Sequence, residues 1–157
     1  MLIRVSFSVA LIAAMSCVQA EDSVPGPTNT IPQGKSAIVV FRPLDSVPAK
    51  SVNVYINGEY LSSLRAGTYA EVTVCPGENR ISVETSDARN RYAEKREPGE
   101  RVQQNSDTVS YFEIDSKNGG LISIPLDDVQ AAQRLSAMPQ KQRHTISRVS
   151  QRSCDLK

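Results

Sequence analysis

Few residues in this sequence have the types and spacing for covalent, metal or acid–base chemistry. They are three cysteines (Cys17, Cys75 and Cys154), a single histidine (His144) and the adjacent carboxylates Asp127 and Asp128. None of the cysteines stands in a C-x-x-C arrangement, so neither a redox dithiol nor a zinc knuckle is implied. His144 sits in a basic stretch, and the sequence holds no G-x-S-x-G, P-loop, G-x-G-x-x-G or H-E-x-x-H motif. It therefore reads as a solvated side chain and not as a general base. Asp127 and Asp128 precede apolar residues at helical spacing, where a carboxylate caps the first turn and offsets the helix dipole. We assign no catalytic, cofactor-binding or metal residue, and expect a chain that is not an enzyme. With no Trp and 5% aromatics, base stacking has few platforms, so nucleic acid is not an expected partner.

The chemistry of the cysteines depends on compartment. Met1 to Arg4 brings one positive charge, Val5 to Met15 is apolar except for Ser6 and Ser8, and Val18-Gln19-Ala20 precedes Glu21-Asp22. That is the pattern of a secretory signal peptide over residues 1–20, too short to stay as a membrane-spanning helix. Cleavage after Ala20 leaves 137 residues with 17 basic and 17 acidic side chains. A second reading stays open: Ala14-Met15-Ser16-Cys17 partly matches a bacterial lipobox, with Ala14 where Leu is usual, making Cys17 a candidate lipidation site. Either way Cys75 and Cys154 remain, in a compartment where disulfides persist. Their pairing would close a loop of about 80 residues, which the chain-entropy account values at about 4–5 kcal/mol. It would also tie the C-terminal tail to the middle of the fold. Free thiols or an intermolecular bridge are the alternatives.

The elements that must position these residues are mostly strands. Residues 21–35 are rich in Pro and Gly and read as a linker, followed by one domain over 36–154. Ser36 to Arg42 is almost continuously apolar, as in a strand buried on both faces, and Pro43 ends it. Ser51 to Ile56 alternates, Asn57-Gly58 gives the strongest short hairpin signal, and Glu59 to Leu64 returns. Thr68–Val74, Asn79–Thr85, Thr108–Ile114 and Leu121–Ile124 come next, the last ended by Pro125. A helix is expected over about 128–138, with Val129, Ala132 and Leu135 on one face. Seven short strands and one late helix argue for an all-β chain, an antiparallel β-sandwich of immunoglobulin-like or prealbumin-like shape with one C-terminal helix.

Two segments stand out as contact surfaces. Ser86 to Asp107 has few apolar side chains and balanced charge, and a loop that long is usually functional or mobile. Its candidate interaction residues are Arg89, Arg91, Tyr92, Arg96 and Arg101, against the alternative of a solvated excursion with a short strand near Tyr92. The C-terminal stretch from Arg134 carries a net charge of +5, while residues 21–133 carry −5. Its basic side chains, Arg143, Arg148 and Arg152 among them, could meet lipid headgroup phosphate or an acidic partner, or could pack on the domain's own acidic face.

The run Val52-Asn53-Val54-Tyr55-Ile56-Asn57-Gly58-Glu59-Tyr60, with Gly67-Thr68-Tyr69 and Val74-Cys75-Pro76-Gly77-Glu78, resembles the signature of PEGA-like and DUF2846-like domains. These are small β-sandwiches of bacterial envelope proteins and lipoproteins, so the resemblance implies that fold and that setting. The stretch Gln142 to Val149 is similar to the segment C-terminal to such a domain in some OmpA-family envelope proteins. The OmpA-like module itself has no counterpart up to Lys157, so peptidoglycan binding is not carried over from it. The reading that results is an exported envelope protein, in the periplasm or at the outer membrane, acting as a non-enzymatic interaction module with an envelope protein partner. A small-ligand or glycan-binding domain is the alternative, with peptidoglycan or lipid headgroups as ligands, and a hydrolase stands last. Mass spectrometry of the exported chain should find Glu21 as its N-terminus, whereas a diacylglyceryl adduct on Cys17 would replace soluble secretion by lipidation.

Overall fold

The computed structural model describes residues 31–86, 99–118, 120–137, 146–150 and 154. Among these described residues, eight strands and one helix run in the order β1 (Ser36–Arg42), β2 (Val52–Ile56), β3 (Glu59–Leu64), β4 (Thr68–Val74), β5 (Gly77–Thr85), β6 (Glu100–Gln104), β7 (Val109–Lys117), β8 (Gly120–Leu126) and α1 (Asp128–Ala137). They form two four-stranded sheets, ordered β4-β1-β7-β8 and β3-β2-β5-β6, which face each other as a sandwich. β1 pairs antiparallel with β4 and parallel with β7, while the other described pairs are antiparallel.

β1 is buried along its whole length, as its unbroken apolar run implies. Ile38 and Val40 point between the sheets, into a core that includes Val52, Val54, Ile56, Leu64, Ile81 and Ile114. Val39 and Phe41 point the other way, into a second cluster with Tyr69 and Ala131 of α1. Tyr69, which alternation alone leaves without a clear side, lies opposite Phe41 with ring centroids 5.9 Å apart. Each fully buried Val, Ile or Phe contributes about 1.5–3 kcal/mol, so β1 supplies much of both cores.

The strand ends in a buried charge. Arg42 is 1% exposed, and its guanidinium donates to the carbonyls of Leu64 at 2.7 Å and Val47 at 3.1 Å, and to that of Ala49. Burial pushes its pKa below the usual guanidinium range, yet guanidinium stays charged at any physiological pH. One side chain thus holds the β1–β2 connection and the end of β3 together, closing one end of the sandwich.

Several expectations need correction. The segment read as loop over 86–107 ends in a strand, β6, because Val102 packs against the core and Gln104 is 2% exposed beside β5. Alternation of one apolar with one buried polar residue is too weak a signal. Just before β6, Gly99 lies so close to β5 that a Cβ there would sit 2.0 Å from the Ile81 carbonyl oxygen, a close approach that only glycine permits. Pro125 does not end β8 but lies within it. β8 is an edge strand, where a missing N–H is tolerated. The helix buries Ala131 and half-buries Leu135, while Val129 is 68% exposed and Ala132 exposed, so its inner face is offset from the expected one. The hairpin stands as read: Asn57 and Gly58 have φ of 53° and 79°, the two positive values that a type I′ turn requires.

Replacing Arg42 by Met would remove a donor from the Leu64, Ala49 and Val47 carbonyls, the last of which keeps the Ala49 N–H at 2.9 Å, and each carbonyl left unpartnered costs about 1–3 kcal/mol. Urea denaturation of Arg42→Met should show a loss of about 3 kcal/mol or more, with an unchanged m-value.

Candidate interaction site

The β2–β3 turn does more than reverse the chain. Asn57 donates from its backbone to the Arg80 carbonyl at 2.8 Å, accepts the Arg80 N–H on Oδ1 at 2.8 Å, and donates from Nδ2 to Asn79 Oδ1 at 2.8 Å. Asn79, 4% exposed, donates in turn to the Cys75 carbonyl at 2.9 Å. This chain of bonds fixes the Cys75 turn against the hairpin tip. A cleft of about 180 Å³ opens beside it, lined among others by Lys35, Asn57, Glu59, Glu78 and Val149.

The structure brings Cys75 and Cys154 together across a sequence separation of 79, with Cα atoms 5.2 Å apart and sulfurs at disulfide distance, 2.13 Å. Residues 146–150 run along β3, the edge of its sheet. Arg148 donates its N–H to the Tyr60 carbonyl at 2.8 Å. Ser150 donates its N–H and its hydroxyl to the two oxygens of Glu59, each at 2.7 Å, and Val149 packs half-buried against the inter-sheet core. The Arg148 backbone bond contributes about 0.5–1.5 kcal/mol and each exposed bond to the Glu59 carboxylate at most about 1.5–3 kcal/mol, and half-burying a valine adds about 1 kcal/mol. Ordering the backbone of the segment costs about 1–2 kcal/mol per residue. The contacts alone leave it near balance, and the link between Cys75 and Cys154 decides its position.

The opposite side of the sandwich is more open. Between β6 and β8 lie two clefts of about 300 and 350 Å³, one floored by Ile81, Val83 and Leu121 and the other lined by Val102, Tyr111 and Leu126. Glu100 borders both and accepts the Ser123 hydroxyl at 3.0 Å. Burial, with Asp128 nearby, pushes the Tyr111 hydroxyl above its ordinary 10.0, so it is neutral at physiological pH and can donate.

The sequence-derived candidates separate into three groups. Cys75 and Cys154 meet. Arg101 and Arg148 are exposed and lie on different edges: Arg101 is on β6 with Nη1 3.7 Å from Glu78 Oε2, a surface pair of little energetic weight, and Arg148 is in the segment along β3. Cys17, Arg89, Arg91, Tyr92, Arg96, Arg143, His144 and Arg152 lie outside the described residues, as do the signal segment 1–20 and the greater part of the linker. Asp127 acts as the helix cap: its Oδ1 accepts the Gln130 N–H at 2.8 Å, and Gln130 accepts the Asp127 N–H in return at 3.1 Å. Arg134, first of the basic C-terminal residues, pairs with Glu113 of β7, so part of that charge does rest on the domain's own acidic surface. Glu59 and Asn79 are site residues that sequence reasoning misses. Asn57-Gly58 announces the turn, but nothing local shows that its flanking carboxylate meets a residue 91 positions away.

Among the described residues no group of three or more His, Cys, Asp and Glu side chains could hold a metal ion, and no helix is long and apolar enough to cross a membrane. A non-reducing peptide map should contain a Cys75–Cys154 crosslinked fragment. The Cys75→Ser/Cys154→Ser variant should lose about 2–4 kcal/mol in urea denaturation while keeping the far-UV spectrum of a β protein.

No protein-family model matches the sequence, and no curated protein matches it either. Among solved structures, the chain is similar to the T6SS lipoprotein TssJ1 from Pseudomonas aeruginosa, at a TM-score of 0.35 and 9% identity, covering 61% of this chain and 100% of that one.

Proposed function

We propose that this is an exported cell-envelope protein, in the periplasm or at the outer membrane, whose sandwich is a non-enzymatic module contacting another envelope protein. The observation that carries the reading is the Cys75–Cys154 pair at bonding distance, because such crosslinks persist in oxidising compartments and are rare in the cytosol. The signal-like segment 1–20 gives the same direction independently. The contact surface is the β6 edge with the adjoining residues of the 86–107 segment: β6 ends its sheet and exposes Arg101 and Gln103, and edges of this kind accept a strand from a partner. Use of Asp127 as a helix cap gives the carboxylate pair a structural role and supports a binding function over hydrolysis.

A small-ligand or glycan-binding domain is the second reading, favoured by the clefts of about 300 and 350 Å³ between β6 and β8, at the lower end of the range for ligand sites. Chemical crosslinking in intact cells followed by affinity capture separates the two. The first reading expects the mature chain in the envelope fraction, one stoichiometric protein partner, and a tenfold or greater loss of that partner with Arg101→Glu/Gln103→Glu. Retention on peptidoglycan with no protein partner would favour the second, and an uncleaved cytoplasmic chain would overturn both.

A further inference from the structure

Among the described residues the two sheets have four edges, of which β8 and β4 carry devices that discourage pairing with foreign strands, while β6 is the edge proposed above for a partner. β8 contains Pro125, and β4 places Glu71 at mid-strand. β3 differs. After Glu59 it reads Tyr60-Leu61-Ser62-Ser63-Leu64, with no Lys, Arg or Pro, and its protection comes from residues 146–150 lying along it.

The contacts of that segment define what the edge accepts. A backbone N–H meets the Tyr60 carbonyl, an aliphatic side chain at 149 packs on the inter-sheet core, and the N–H and hydroxyl of residue 150 fill both oxygens of Glu59. We propose that residues 146–150, with Cys154, are a latched strap, and that opening the Cys75–Cys154 bond uncovers the β3 edge for an extended peptide of a partner protein. The peptide that fits carries a branched aliphatic residue followed by Ser or Thr, the pattern that the strap itself presents.

The opening step needs a dithiol reductant. One of its thiolates attacks Cys75 or Cys154, the S–S bond breaks, and the second thiol resolves the mixed disulfide. Two electrons pass to the protein, which ends with two thiols, and the reductant ends as a disulfide. Because the strap's own contacts are near balance with its ordering cost, release follows once the covalent tie is gone. The surface is distinct from the one proposed above: β3 and β6 are the two ends of the same sheet, so either can fail without the other.

The test uses the full mature chain, oxidised, reduced with dithiothreitol, and as Cys75→Ser/Cys154→Ser. In hydrogen exchange, the amides of Arg148 and Ser150 should be protected in the oxidised chain and exchange at least tenfold faster in the other two, while β1 stays protected. A fluorescent peptide carrying residues 144–151 should bind the reduced and Ser forms at least tenfold more tightly than the oxidised form. Binding should be lost with Val149→Asp in the peptide and weakened severalfold by Glu59→Gln in the protein. Unchanged protection of Arg148 and Ser150 on reduction would overturn the latch. Equal peptide binding to all forms, or none to the reduced form, would overturn the docking edge. Loss of β1 protection on reduction would also overturn the proposal, since the bond would then be a staple of the whole fold.

Discussion

Everything else in this molecule is arranged around a strand that has no solvent face. β1 alternates its side chains like any strand, but both sets are apolar, so each needs its own cover. The facing sheet supplies one and the C-terminal helix the other. Its two neighbours in the sheet, β4 and β7, satisfy its backbone from both sides. A helix that buries only Ala131 deeply would be marginal alone. It is held because Val39, Phe41 and Tyr69 offer an apolar floor, because Asp127 and Gln130 cap it reciprocally, and because Arg134 reaches Glu113.

The strand's last residue extends the same constraint to the loops. Arg42 follows Ile38 and Val40 on the inner face, where a charge survives only if its donors are filled. Backbone carbonyls of the β1–β2 connection and of β3 take the bonds of its two terminal nitrogens, Nη1 and Nη2. The opposite end of the sandwich is organised by neutral amides, Asn57 and Asn79, and it is there that Cys75 is set in place. One end is thus closed by a buried cation and the other by an amide chain backed by the cysteine pair.

Sequence reasoning reaches the parts of this structure that depend on local signals. The apolar run of β1, the Asn57-Gly58 turn, the alternation of β2 and the cap at Asp127 each declare themselves within a few residues. The Cys75–Cys154 pairing is legible for a different reason, since the signal-like segment 1–20, read as a cleaved leader, would leave two thiols. The hidden parts depend on partners distant in sequence. β6 is a strand because β5 and the core accept Val102 and Gln104, and Gly99 matters because the Ile81 carbonyl lies where a Cβ would go. Pro125 is easily misread because its meaning turns on whether β8 is central or at an edge. Arg42 looks like the polar end of a strand, and Glu59 like its polar start. Both are site-forming residues only in three dimensions.

The parallel pairing of β1 with β7 also has a temporal side. Ala37 is matched with Val109 and Phe41 with Glu113, while the antiparallel partner β4 lies much nearer in the chain. In a chain that emerges from its N-terminus, the most apolar strand comes first among the described strands and its second neighbour comes late. Pairings of such long sequence separation form slowly, and a strand of high β-propensity with few charges is the sort that self-associates while it waits. β1 is therefore the segment of this fold most open to self-association before the domain closes.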